Sequence, residues 1–475
     1  MKNLKKTLAM ISAVALAGSV FAACGSSTTT TTDDSATTDA AVADDAVADD
    51  AAADDSAEAA ASSDGKVTIL CWNTDDIIPM LATFCANTDH TEDEFNVVSF
   101  GCGGSEASEN YDNYLADASN DADIMFVEAD WALTYINDDS DATGTRALSD
   151  LGFSDSDFDE VYDYVKEIGT STDGVLKGVS WQAAAGGWCY RTDLAEKYLG
   201  VTSPEEMQEL VSDWDKFEET AQKVSEASNG ETALTSTLAG IYQVFSASSS
   251  TPWVQDGKLV LGDERSDYIS LARNFYDNGY VVKDLPQWST DWYAVGQTDS
   301  TMGYFVSTWG FGDSILTQAA GGEGGATYGS WNVVVGPQSY YWGGTWLTVA
   351  NRCDNDDLVK EFISFFTSDV DGAVAYANYQ GEYVSNQAAM EQVIPTFEGL
   401  GVLGGQNHFE VLNEVAESID MGGNITAYDA TIKTLFNDAV TAYCQGTYAT
   451  EEECIDAWVD SVAAALPELD YSNFD

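Results

Sequence analysis

Histidine is nearly absent: His90 and His408 are the only two in 475 residues. That removes HExxH and zinc-finger ligand sets, and any Ser-His-Asp triad would have to draw on one of these two imidazoles. Basic residues are also few, with 18 Lys+Arg against 80 Asp+Glu and a formal net charge of −62. Phosphate binding runs on Lys and Arg, so DNA, RNA and anionic lipid are poor partners for such a surface. There is no CxxC, which argues against redox chemistry. The glycine-rich stretches Gly101-Cys102-Gly103-Gly104 and Gly321-Gly322-Glu323-Gly324-Gly325 lack both the GxGxxG order and a Lys-Ser/Thr ending, so nucleotide binding is not expected. No GxSxG with a following His is present, and nothing else reads as a hydrolase signature.

What is present reads as a folded chain. Hydrophobic residues make up 44% and aromatics 12%, which is globular composition, and the length suggests more than one lobe. Residues 1–23 read as a lipoprotein signal peptide: Lys2, Lys5 and Lys6 precede a mostly apolar run from Leu8 to Phe21. That run of 14 is shorter than the roughly 20 residues a spanning helix needs. Phe21-Ala22-Ala23-Cys24 resembles the lipobox of bacterial lipoproteins, with Phe21 where Leu is usual. It makes Cys24 the expected acylation (palmitate-type) site and the membrane contact a lipid anchor only. Residues 24–64 are then the lipidated Cys and a low-complexity tether of Ser, Thr, Ala and acids, without a basic or aromatic residue after Cys24. Such a segment cannot bury enough apolar surface to fold, and as a coil of 40 residues it would span roughly 35 Å. Seven cysteines remain, an odd number. Cys71 and Cys189 sit in apolar runs as small buried residues, and Cys444 and Cys454 are near enough in sequence to pair.

From Gly65 onward, β-branched apolar runs alternate with helical periodicity. Lys66–Trp72, Asn96–Phe100 and Asp123–Val127 are predicted strands, with helices around 77–84 and 111–118. Later strands are predicted near 178–181, 187–190, 301–306, 332–335 and 347–350. Ser203-Pro204-Glu205-Glu206 and Ser212-Asp213-Trp214-Asp215 are helix starts. The pattern is α/β, with parallel sheets covered on both faces.

Seven pieces in order then resemble one family. They are Trp72-Asn73 with Asp75-Asp76; Asp123-Ile124-Met125-Phe126 with Trp131, Tyr135 and Leu148-Ser149-Asp150-Leu151; Gly178-Val179-Ser180-Trp181; Trp188-Cys189-Tyr190-Arg191-Thr192-Asp193-Leu194; Met302-Gly303-Tyr304 to Trp309-Gly310; Trp342-Gly343-Gly344-Thr345-Trp346; and Gly381-Glu382-Tyr383-Val384-Ser385-Asn386. Together they resemble the extracellular solute-binding proteins of ABC sugar importers, the family that includes maltose-binding protein. The resemblance implies a two-lobe periplasmic-binding-protein-like fold with a hinge and an interlobe ligand cleft. Lobe one would hold 66–183 and 337–382, and lobe two 184–336 and 383–475.

It also implies a non-enzymatic monomer that captures a carbohydrate, an oligosaccharide, on the outer face of the cell membrane and delivers it to ABC transporter permease subunits. No cofactor is implied. Thirteen Trp and 23 Tyr suit a site that stacks on sugar faces. The ligand-binding residues expected at strand ends are Asn73, Asp75, Asp76, Glu128, Trp131, Trp181, Gln182, Trp309, Trp342, Gly343, Gly344 and Tyr383. Trp188, Tyr341 and His408 could face the cleft or the core.

The acidic loop 139–150 resembles an EF-hand loop but departs at Thr143, Arg146 and Asp150, and is read as a surface turn with no metal. Two other functions fit the composition. One is a binding protein for a cationic or peptide solute such as a polyamine, favoured by the charge. The other is a secreted glycoside hydrolase, although any chain with 80 acids offers carboxylate pairs.

Overall fold

A computed structural model describes residues 65–312, 314–421 and 425–474. The signal peptide, Cys24 and the tether lie outside the described residues. Among the described residues there are twelve strands, numbered in chain order: β1 Val67–Cys71, β2 Phe95–Ser99, β3 Ile124–Glu128, β4 Gly178–Ser180, β5 Ala185–Arg191, β6 Ala233–Thr235, β7 Val254–Gln255, β8 Lys258–Leu259, β9 Thr301–Ser307, β10 Trp331–Val334, β11 Tyr340–Tyr341 and β12 Thr345–Val349. They form two five-stranded sheets and a small hairpin of β7 and β8, so the molecule has two α/β lobes.

The first sheet runs β2-β1-β3-β12-β4. β1 is parallel to β2 and β3, while β12 is antiparallel to β3 and β4. Every residue of β1 is buried, as expected for a strand covered on both faces. On one side Phe84, Phe95, Phe362, Phe365 and Phe366 form an aromatic cluster with tilted and edge-on rings. Offset and edge-to-face pairs of this kind add to the burial energy.

The second sheet runs β10-β5-β9-β6, with β11 added on β5. Trp188 in β5 is fully buried against Phe217 and Tyr190, so it belongs to the core. A Cβ at Gly303 would lie 2.5 Å from the Trp188 ring, which is why β9 needs glycine there.

The predicted strands appear within a residue or two. The helix over Gly104–Leu115 starts earlier than the 111–118 reading, because polar Ser, Glu and Asn residues form its first turns. The helix Pro204–Leu210 is capped by Ser203, whereas Trp214–Ser228 is capped by Asp213 rather than Ser212.

Two passages of the chain differ from the expected lobe division. Tyr340 and Tyr341 fall within the segment expected in lobe one, yet they pair with Gly186 and Ala185 of the second sheet. The physical reason is Gly186, where a Cβ would lie 2.3 Å from the Tyr340 ring; glycine gives that ring its place, and the Tyr340 hydroxyl donates to Gly187 O at 3.1 Å. The helix Gln387–Val393 packs on Val370–Gln380 beside the first sheet, and His408–Ser418 packs on β5 and β10. The third passage between lobes therefore follows Val393 rather than Glu382.

The cysteines at 71, 85, 102, 189, 353, 444 and 454 are free thiols, so Cys444 and Cys454 do not pair. In the acidic loop, Asp139 pairs with Lys177 at 2.5 Å and the Asp138 carboxylate ties Ser140 and Thr143 into a turn.

Candidate functional site

The chain crosses between the sheets at 181–184 and 342–344, and the strip Gly381–Ser385 lies alongside. Three backbone hydrogen bonds bind these segments: Ser385 N donates to Trp181 O at 2.7 Å, Ala183 N to Tyr383 O at 3.4 Å, and Trp342 N to Ala184 O at 2.9 Å. The side chain of Gln182 is buried and used at both ends. Its Oε1 accepts from Thr345 N at 2.9 Å and its Nε2 donates to Glu382 Oε1 at 2.8 Å. Gln182 is thus a spacer that fixes Glu382.

Glu382 is 4% exposed. Burial, and then the charge of Asp76, push its carboxyl up to about 8. Asp76 ends the loop after β1 and precedes the helix Ile77–Asn87 without capping it by its side chain. Burial, and then Asp75, raise it to about 7. Trp181 Nε1, Thr308 Oγ1 and Tyr376 Oη approach Glu382 and are all buried, yet none completes a hydrogen bond within the described residues. Buried polar atoms are normally paired, and each orphan costs about 1–3 kcal/mol. This inner group therefore holds three unused donors and two carboxyl groups in one place. Among its members the sequence indicated Asp76, Trp181 and Gln182; it missed Thr308, Tyr376 and Glu382.

Beside it stands an aromatic wall. Trp309 lies in the 3-10 turn Thr308–Gly310 after β9, and its Nε1 donates to Trp342 O at 2.8 Å. The two rings meet edge-on at 5.2 Å. Gly343 passes between this wall and lobe one: a Cβ there would lie 3.4 Å from Glu128 Oε1 and 3.5 Å from Trp309 Nε1, and its φ is +61°. Gly344 has φ +98° and would bring a Cβ to 3.0 Å from the Ala184 Cβ. Both positions need glycine. Glu128 ends β3, and its Oε2 accepts from Asp130 N at 2.9 Å. Burial and the neighbouring Asp130 push its carboxyl upward.

Other expected residues lie elsewhere. Trp131 is 6% exposed, and its ring contacts are Tyr111 and Tyr135 of the lobe-one core rather than the other two tryptophans. Tyr383 is fully buried, with its hydroxyl bonded to Tyr162 Oη and Asn413 Oδ1 at 2.8 Å each. Asn73 Oδ1 accepts from Asp75 N at 2.9 Å, a turn contact, and Asp75 is exposed. Tyr341 is buried near Lys433, and His408 packs among Phe311, Phe397 and Phe409.

The family model described as bacterial extracellular solute-binding protein matches residues 80–394, about two thirds of the chain. The chain belongs to this family. Its members bind solutes outside the cytoplasm and are not enzymes.

Solved structures show the same fold. An extracellular solute-binding protein of family 1 is 19% identical over 85% of this chain and 100% of its own, with a TM-score of 0.70. The ABC transporter associated binding protein from B. animalis subsp. lactis Bl-04, in complex with beta-1,6-galactobiose, is 17% identical over 84% and 97%, with a TM-score of 0.65. Maltose-bound MalE3 of T. maritima is 16% identical over 84% and 100%, with a TM-score of 0.62. No curated protein sequence matches this solute-binding protein. Among the described residues, no helix is long and apolar enough to cross a membrane.

Proposed function

We propose that this solute-binding protein captures a carbohydrate, an oligosaccharide, in the interlobe cleft and delivers it to the permease subunits of an ABC transporter. It does so as a monomer held at the extracytoplasmic face of the cell membrane by acylated Cys24. The observation that carries the reading is the inner group: unpaired donors on Trp181, Thr308 and Tyr376 beside two carboxyls, Asp76 and Glu382, next to tryptophan rings. A pyranose offers hydroxyls that both donate and accept, and C–H faces that stack on indole. An amine offers donors alone: it could pair with the carboxyls and the two hydroxyls, but it would leave the indole N–H of Trp181, which can only donate, without an acceptor. Similar folds holding maltose and galactobiose add support.

Asp76, Thr308, Tyr376 and Glu382 take the hydroxyl rim in this reading. The Trp181 indole N–H joins that rim, Trp309 and Trp342 take the faces, Gly343 and Gly344 admit the ligand to the backbone, and Glu128 reaches from lobe one. Gln182 positions Glu382. The test is calorimetry of the purified chain against neutral mono- and oligosaccharides, spermidine and a cationic peptide, at 0.1 M and 1 M salt. A sugar should bind, with affinity changing less than about twofold, since its contacts are short-range while the Debye length falls from about 10 to 3 Å. A polyamine as the sole ligand, weakening strongly with salt, would replace this reading by the cationic one.

A further inference from the structure

Pro286, Gln287, Trp288 and Ser289 form a turn in lobe two, closed by Ser289 N donating to Pro286 O at 3.3 Å. Trp288 occupies its third position with φ +69°. That position with positive φ belongs to glycine or asparagine, and for a bulky side chain it is strained. Trp288 is also 49% exposed, the one tryptophan among the described residues left so open to solvent. Its ring stacks on Trp309 at 6.1 Å, tilts against Trp342 at 5.8 Å and meets Trp292 edge-on at 5.2 Å. Trp292 below is rigid: it is buried, and its Nε1 donates to Ser236 Oγ at 3.1 Å. A half-exposed ring on a strained backbone gains little for folding, and strain of this kind gathers at ligand clamps. The wall it completes begins at Trp309, which directly follows Thr308 of the inner group.

Resting on the carbohydrate reading, we propose that Trp288 is the outer platform of the cleft, stacking on the second ring of an extended saccharide whose first ring is held by the inner group. The solute is then a chain of at least two sugar rings, and Trp288 sets the preference for length.

The test compares wild type, Trp288→Gly and Trp288→Phe by calorimetry with glucose, galactose, maltose, maltotriose and β-1,6-galactobiose, alongside ligand-free melting temperatures. Trp288→Gly should lose at least tenfold in affinity for the two- and three-ring sugars and less than twofold for any single-ring sugar bound. Trp288→Phe should recover most of that loss. Because glycine relieves the backbone, the Trp288→Gly melting temperature should equal or exceed that of wild type. Unchanged affinity for the longer sugars, an equal loss for one and two rings, or a lowered melting temperature with no recovery by Phe would overturn the proposal and leave the carbohydrate reading intact. If wild type bound none of the five sugars, the carbohydrate reading itself would fail and take this proposal with it.

Discussion

Glu382 and Tyr383 are neighbours in sequence, equally buried, and different in what they leave unused. The Tyr383 hydroxyl is spent on Tyr162 and Asn413, while Glu382 holds one bond, from Gln182, and faces Asp76. Both carboxyls are raised, so in the ligand-free molecule they hold protons that the unfolded chain would release near pH 4. Their contribution to stability is therefore full below about pH 4 and is lost as pH rises through about 7 to 8. Glu382→Gln keeps an acceptor for Gln182 and removes this titration. Its melting temperature should match wild type at pH 5 and exceed it at pH 8.5; a constant difference between the two pH values would refute the buried-acid account. Sequence reasoning could not have found Glu382, because one acid among 80 carries no local mark of burial. Asp76 was legible since it follows a clear buried strand. Trp131 was misplaced for the converse reason: a tryptophan after a strand end has the same sequence pattern whether it turns to a cleft or, as here, to Tyr111 and Tyr135.

Strands and helices were legible where they were long. β1, β3 and β9 are runs of five to seven mostly apolar residues, rich in β-branched and aromatic side chains and almost wholly buried. β6, with three residues, and β11, with two, carry no periodicity and depend on partners distant in the chain. One contact between elements bears on function. Asp130, in the helix Ala129–Ile136 of lobe one, pairs at 3.0 Å with Lys433 in the helix Asp429–Cys444, which packs on lobe-two helices. Burial opposes the Lys433 charge, but Asp130, Tyr341 and Asp429 outweigh it and raise its pKa. The pair clasps the lobes on the Glu128 side of the cleft. Asp130 is half-exposed but Lys433 is largely buried, so Asp130→Asn takes the main partner from a buried charge and should cost the fold more than the about 1 kcal/mol of an exposed pair. It should also shift the ligand-free molecule toward open forms, since hinge equilibria respond to differences of that size. Small-angle scattering should report a larger ligand-free radius of gyration for Asp130→Asn and an unchanged one with ligand bound. Identical ligand-free profiles would show that the pair does not hold the lobes together.

At the scale of the whole molecule, charge works against compactness. Residues 65–475 carry 69 acids and 15 bases, a net −54. Some of the ion pairs that offset this are exposed, such as Lys197–Asp299 with both side chains about half accessible, and an exposed pair is worth about 0–1 kcal/mol. Repulsion among the unpaired carboxylates is individually weaker but far more numerous, and it is long-ranged at low salt. The Debye length falls from about 30 Å at 0.01 M to about 10 Å at 0.1 M, which screens repulsion across a lobe while sparing contacts at 3–4 Å. Self-repulsion of this kind destabilises a folded state. The ligand-free melting temperature should therefore rise by several degrees between 0.01 and 0.1 M sodium chloride, then change little to 0.5 M. A fall over the first interval would mean that the surface pairs outweigh the repulsion. The same titration separates stability from binding. Closure on a neutral sugar adds no charge, so its affinity should stay nearly flat over the interval in which the melting temperature climbs. An affinity that climbed with it would show that lobe closure is itself opposed by the acidic faces brought together across the cleft.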